Sequence, residues 1–249
     1  MNFKGKVVLV TGSSRGLGEK IVYDFAKRGA SVIINYNESY KEAVLLKEKV
    51  ENEFSSSVLL CKCDVSSEEE VKNMVSLALK TFGKIDILVN NAGISLDSEF
   101  DKKNVNDFRR VLDVNLIGTY LVSKYACESM ICNKTGKIIN ISSDNAIDNF
   151  YPESFDYDAS KAGVISLTHN MARFYAPYIN VNCVCPGWIA TDMNKDMDSE
   201  VRKEFEDKIL LKRFASCDEI SNVVLFLASD MASYVNDSVI KVNGGSYNG

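Results

Sequence analysis

The sequence predicts an α/β fold: a doubly wound parallel sheet of about seven strands with helices on both faces. Three observations carry this expectation. Short apolar, β-branched runs alternate with longer helix-periodic stretches along almost the whole chain. Most of these runs are continuously apolar, as suits strands covered on both sides. No linker rich in proline or glycine, no solenoid-length repeat and no low-complexity tract interrupts the 249 residues, so a single domain over 1–249 is expected.

Strands are expected at 6–11, 31–36, 58–63, 85–90, 137–141, 179–184 and 239–242. Between them, helical patterns run over 16–28, 40–53, 68–82, 105–132, 155–175 and 218–229. The third helix follows Asp64-Val-Ser-Ser-Glu-Glu-Glu70, which supplies capping side chains and first-turn acids. After Pro186-Gly187-Trp188 the chain loses any regular pattern until about 199 and then enters a charged helix. A loop of that length in a compact fold is expected to act as a lid.

Composition narrows the function classes. A net charge of −5 and a pI near 5.1 give no electrostatic reason to expect nucleic acid. No apolar run approaches the roughly 20 residues of a membrane span. The start, Met1-Asn-Phe-Lys-Gly-Lys6, lacks the apolar core of a signal peptide, and a cytoplasmic protein is expected. Seven cysteines are scattered; Cys61 with Cys63, and Cys183 with Cys185, would each share one strand face. With one histidine and no C-x-x-C pair, buried reduced thiols are expected and a metal site is not.

Thr11-Gly-Ser-Ser-Arg-Gly-Leu-Gly18 joins the first strand to the first helix. Gly12, Gly16 and Gly18 permit a tight turn, close approach of a pyrophosphate and close helix–strand packing. The helix N-terminus adds free N–H groups and positive dipole, so a dinucleotide site is expected. The second strand ends Asn35-Tyr36-Asn37, with no carboxylate before Glu38, while Arg15 lies inside the glycine loop. An arginine without a nearby acid suits a 2′-phosphate, which favours NADP over NAD.

Tyr157 and Lys161 stand four residues apart in a helical pattern, one above the other on one face. The cation is expected to draw the phenol from its usual pKa near 10 toward neutrality, making a proton-donating pair. A surface tyrosine and lysine on an amphipathic helix would give the same spacing.

Taken together, these motifs resemble the short-chain dehydrogenase/reductase family over essentially the whole chain. Thr11–Gly18 is similar to its TGxxxGxG loop, Asn90-Asn-Ala-Gly93 to its NNAG turn, and Tyr157 to Lys161 to its YxxxK. Asn115, Ser142-Ser143 and Pro186-Gly187 fall in the order the family shows. Within the family the chain is similar to the β-ketoacyl-acyl-carrier-protein reductase group, through Ser14-Arg-Gly-Leu-Gly18, Gly187-Trp-Ile-Ala-Thr-Asp-Met193 and Leu225-Phe-Leu-Ala-Ser229.

The resemblance implies a Rossmann-like fold and a ketone reductase using NADPH. Tyr157 would donate the proton, Lys161 would lower its pKa and hold the nicotinamide ribose, and Ser143, fourteen residues ahead of the tyrosine, would bind the substrate oxygen. Asn115 would hold a water that replenishes the proton. Gly12, Ser14, Arg15, Gly16, Leu17 and Gly18 would cradle the phosphates, with Asn35, Tyr36 and Asn37 beside the adenosine ribose. Asp64 and Val65 would meet the adenine, and Asn91, Ala92 and Gly93 the adjoining ribose. Pro186, Gly187, Ile189 and Thr191 would frame the nicotinamide. Trp188 is equally suited to wall the substrate pocket or to pack in the core.

The implied partner is a small carbonyl compound or acyl thioester, with an acyl carrier protein as one form of it, in a homotetramer. For an acidic carrier protein, Lys134, Lys137 and Arg173 are the expected basic patch, opposed by Asp144, Asp148, Glu153 and Asp156. Departures from the family pattern, among them a shorter approach to the sixth strand over 176–182, Asp144 after the serine and Asn243 before the terminal Gly-Gly, leave substrate identity open. An NAD-linked sugar or polyol dehydrogenase, or a regulatory protein that binds cofactor without catalysis, are the competing readings.

Overall fold

A computed structural model of the chain describes residues 1–148, 151–190 and 197–246. Its strands are β1 (Val7–Val10), β2 (Ser31–Tyr36), β3 (Val58–Lys62), β4 (Ile87–Asn90), β5 (Gly136–Ile141), β6 (Ile179–Pro186) and β7 (Val239–Val242). All are parallel and form one seven-stranded sheet in the order β3-β2-β1-β4-β5-β6-β7. The helices are α1 (Gly16–Lys27), α2 (Tyr40–Glu53), α3 (Glu68–Phe82), α4 (Val105–Leu112), α5 (Gly118–Cys132), α6 (Phe155–Tyr175), α7 (Ser199–Asp207) and α8 (Cys217–Ala228).

The continuous apolar runs follow from two-sided burial. Val8 and Val10 of β1 face one layer, with Ile21 and Phe25 of α1, Leu46 of α2 and Val224 of α8. Val7 and Leu9 face the other, with Met74 of α3, Val122 of α5 and Met171 of α6. Each such side chain, fully buried, contributes about 1.5–3 kcal/mol. β1 lies between β2 and β4, with Leu9 level with Ile33 and Leu88. The winding reverses there, which opens a crevice beyond the carboxyl ends of β1 and β4.

The expected helix over 105–132 is not uniform. A π-helical turn, Asp113–Ile117, joins α4 to α5 and carries Asn115 inward to full burial. The wider turn inserts an extra residue, a device found often at functional sites. Just past it, a Cβ on Gly118 would lie 2.7 Å from Val65 Cγ2, so the bare helix face lets α5 pack on the strand-end loop. Ser67 caps α3, accepting from Glu70 N–H, while Asp64 turns inward to other partners. The charged helix expected after the long loop is α7, capped by Asp198. Cys61, Cys63, Cys183 and Cys185 are buried free thiols in or beside the strands. Among the described residues, no helix is long and apolar enough to cross a membrane.

Candidate active site

The glycine loop and the turn after β4 are built as one piece. Thr11 Oγ1 accepts the backbone N–H groups of Asn91 and Ala92, each at 3.0 Å, and Asn91 Nδ2 donates to the carbonyls of Thr11 and Gly12. A Cβ on Gly12 would sit 2.8 Å from Ala92 Cα, and one on Gly18 2.5 Å from the Gly12 carbonyl. Gly12 and Gly16 both take positive φ, at 58° and 61°. A Cβ on Gly16 would meet only open space, and no side chain caps the N-terminus of α1 behind Arg15. An uncapped helix end under an open glycine loop fits a dinucleotide pyrophosphate.

Ser14 is buried in the loop, Leu17 is half-buried and Arg15 is exposed. Asn35 is buried as well. Its Oδ1 accepts from Gly12 N–H at 2.9 Å and its Nδ2 donates to the Cys63 carbonyl at 3.0 Å, so it shapes the glycine loop from beneath instead of facing outward. Tyr36 and Asn37 line an open depression with Glu38, Tyr40 and Lys62. Lys62 was not anticipated: it closes β3 level with Tyr36 and brings a cation to this edge.

Asp64 Oδ1 accepts from the N–H and hydroxyl of Ser66, and its Oδ2 pairs with Arg110 at 2.8 Å. Burial alone would raise this carboxyl. The bonds from Ser66 and Arg110 outweigh it and hold Asp64 below the usual carboxylate range. Arg110, in α4, was hidden from sequence reading because only the fold carries it to β3. Val65 is buried beneath Gly118.

Tyr157, Lys161 and Ser143 converge at the carboxyl end of β5. Lys161 is buried, its Nζ donates to the Ile141 carbonyl at 2.9 Å, and it lies 5.5 Å from the centroid of the Tyr157 ring. Gly93 belongs to the same cluster, since a Cβ there would sit 3.2 Å from Lys161 Nζ. The two serines divide their roles: Ser142 Oγ donates to the Lys161 carbonyl at 2.8 Å, while Ser143 reaches the Tyr157 hydroxyl.

The phenol does not move toward neutrality. Burial pushes Tyr157 up to about 12, against the hydrogen bond from Ser143, and draws Lys161 down to about 8. Desolvation, which disfavours both charged forms, is the larger effect here. The pair is thus a neutral phenol over an ammonium, a donor that keeps its proton across the physiological range.

Asn115 Nδ2 donates to the Ile94 carbonyl and to Ser160 Oγ, and Oδ1 accepts from Ile94 N–H at 2.8 Å. Both amide hydrogens are engaged, so the side chain fixes the start of the loop after β4. Pro186 ends β6 opposite Val242, and Gly187 passes so close to Asn243 that a Cβ would lie 2.9 Å from Asn243 Cβ. Ile189 bridges to Ala215. Thr191 lies outside the described residues. Trp188 stacks on Phe214 at 5.4 Å and packs against Phe205 of α7 at 4.5 Å, so it anchors the helix that follows the long loop. His169 pairs with Asp237, on α6 but three turns beyond Tyr157.

Two of the departures in sequence turn out to be partners: Asn243 Nδ2 donates to Asp144 Oδ1 at 2.9 Å. An aspartate at 243 would set two carboxylates against each other. Asn243→Asp is expected to lower Tm by about 3–10 °C at neutral pH, the scale of losing a hydrogen bond to a buried charge. Thermal unfolding of the two proteins checks this.

The expected basic patch is corrected. Lys134 and Lys137 stand at the amino end of β5 and Arg173 at the last turn of α6, so within one chain they lie at the opposite end of the sheet from Ser143. Two of the opposing acids are also neutralised, Asp148 by Lys241 and Asp156 by Lys103.

Comparison with known proteins adds a family to this geometry. A family model described as enoyl-(acyl carrier protein) reductase matches residues 12–247. The 3-oxoacyl-acyl-carrier-protein reductase of Aquifex aeolicus is 38% identical over 248 residues, 99% of each chain. The solved 3-oxoacyl-acyl-carrier-protein reductase of Brucella melitensis superposes with a TM-score of 0.92 at 30% identity, covering 100% of this chain and 93% of that one. A Burkholderia cenocepacia short-chain dehydrogenase in complex with NADP gives a TM-score of 0.91 at 28% identity, covering 98% of this chain and 99% of the other.

Proposed function

Because the chain belongs to the short-chain dehydrogenase/reductase family, oxidoreductases of carbonyl and alcohol groups, we propose that it reduces a 3-oxoacyl thioester with NADPH. The whole chain, 1–249, acts as one cofactor-binding domain. The observation that carries this reading is the meeting of Ser143, Tyr157 and Lys161 beside a glycine loop built for a pyrophosphate. When bound, the dihydronicotinamide supplies the hydride. Ser143 holds the carbonyl oxygen and Tyr157 passes its phenolic proton to that oxygen as negative charge develops. The Lys161 ammonium stabilises the phenolate left behind. Gly12, Ser14, Arg15, Gly16, Leu17 and Gly18 hold the phosphates, and Asp64 and Val65 lie along the adenine side.

Arg15 and Lys62 support NADP, as does the NADP complex of the Burkholderia neighbour. Arg15→Ala is expected to weaken NADPH binding by roughly 1.5–3 kcal/mol, the scale of a hydrogen bond to a charged group, and to leave NADH nearly unchanged. Titration with each cofactor reads the difference. One observation favours a second reading, an NAD-linked sugar or polyol dehydrogenase. Glu38 shares the depression with Lys62, where a carboxylate would suit a ribose 2′-hydroxyl.

The apolar side chains exposed along the π turn, α5 and α6, including Ile117, Tyr120, Ile131 and Phe174, support assembly into a homotetramer. The thioester carrier is tested by comparing acetoacetyl-carrier protein with acetoacetyl-CoA at low and high salt. A carrier-protein reductase prefers the former and loses efficiency as salt rises. Reduction of a crotonyl thioester in place of both would move the assignment to enoyl reduction.

A further inference from the structure

Between β4 and α4 the chain runs over residues 91–104, and its later part, 94–104, passes near the catalytic centre: behind burial, the charge of Asp97 helps to raise the Tyr157 and Tyr151 phenols. This loop is fastened at both ends. Asn115 holds Ile94, and Ser98 N–H donates to the Glu153 carbonyl at 2.8 Å. At its far end Lys103 Nζ lies 2.7 Å from Asp156 Oδ2, with side chains 3% and 0% exposed. The same ammonium donates to the Leu96 carbonyl, within the loop, and sits 5.6 Å from the Phe155 ring centroid. Asp156 is the residue before Tyr157, and its Oδ1 accepts the Tyr157 N–H at 3.0 Å.

Such a pair needs a reason. A buried ion pair is a weak source of stability, because desolvation offsets most of the attraction. Asp156 Oδ2 has no well-directed hydrogen bond among the described residues, so Lys103 meets it as a charge. What the pair does supply is a fixed distance between the loop and the first turn of α6. We propose that Lys103 and Asp156 are positioning residues: their ion pair sets the height of the 94–104 loop over Tyr157 and so the seating of the 3-oxoacyl group there. The inference rests on the ketone-reductase reading and deepens it.

Two variants separate positioning from folding. Lys103→Met leaves a buried carboxylate uncompensated and should lower Tm by about 10 °C. Lys103→Met/Asp156→Asn removes both charges and should keep Tm within a few degrees of the parent. In the double variant, KM for acetoacetyl-CoA should rise at least about tenfold while kcat stays within about twofold and NADPH affinity is unchanged. A stable double variant with the parental KM overturns the clamp. So does an equal loss of NADPH affinity, which would point to a general defect of the crevice. If the parent protein itself reduces no 3-oxoacyl thioester, the ketone-reductase reading falls and the clamp falls with it.

Discussion

Tyr157→Phe is expected to lower turnover by at least about a hundredfold, the low end for loss of a general acid. The substitution removes one oxygen from a ring whose other contacts remain, so the crevice and its affinity for NADPH should be intact. Since burial pushes the phenol up to about 12, the proton is present at every ordinary assay pH, and the loss should be the same from pH 6 to 7.5, below the titration of Lys161. Steady-state kinetics with a cofactor titration on the same sample measure both. Near-normal turnover in this variant would remove the mechanism.

Lys161→Met is expected to be inactive and yet more resistant to heat. Lys161 is buried, and burial draws its ammonium down to about 8 from an unfolded value near 10.4. With the folded value the lower of the two, the folded chain binds fewer protons between about pH 8 and 10.4. The penalty for the charge is therefore full below pH 8 and is relieved as pH rises through that window. It is on the order of 3 kcal/mol at neutral pH. Methionine removes it, at the cost of about 1 kcal/mol for the bond to the Ile141 carbonyl. Tm should rise by several degrees at pH 7 and by less at pH 10. Turnover should fall at least about a hundredfold, because nothing then stabilises the phenolate. In the parent protein, reduction should decline as pH rises through about 8, where Lys161 loses its proton.

Most of the architecture was legible from residues alone, and the reasons are local. Two-sided burial made β1, Val32–Ile34 of β2 and Ile87–Val89 of β4 continuously apolar, and the glycines at 12, 16 and 18 marked the first strand–helix junction. The π turn at Asp113–Ile117 was not legible, because an inserted residue in a helix leaves the apolar pattern nearly unchanged. Within the site, the order of Ser143, Tyr157 and Lys161 could be read. The direction of the tyrosine's pKa shift could not, since spacing shows the cation but not the depth of burial. Long-range partners were equally hidden. Asn35 supporting the glycine loop, Arg110 on Asp64 and Asn243 on Asp144 each join residues that only the folded chain brings together. The same holds for Lys103, which reads as one more charge in a polar loop and is nearly fully buried.

The most direct test is the oxidation of NADPH by this protein with acetoacetyl-carrier protein, followed by the absorbance of the reduced nicotinamide, with the product identified. The account predicts one NADPH consumed for each 3-hydroxyacyl thioester formed, at a rate that collapses in Tyr157→Phe while cofactor binding persists. Tight NADPH binding with no consumption, across acetoacetyl thioesters, diketones and sugars alike, would contradict it and leave a cofactor-binding protein without the reaction.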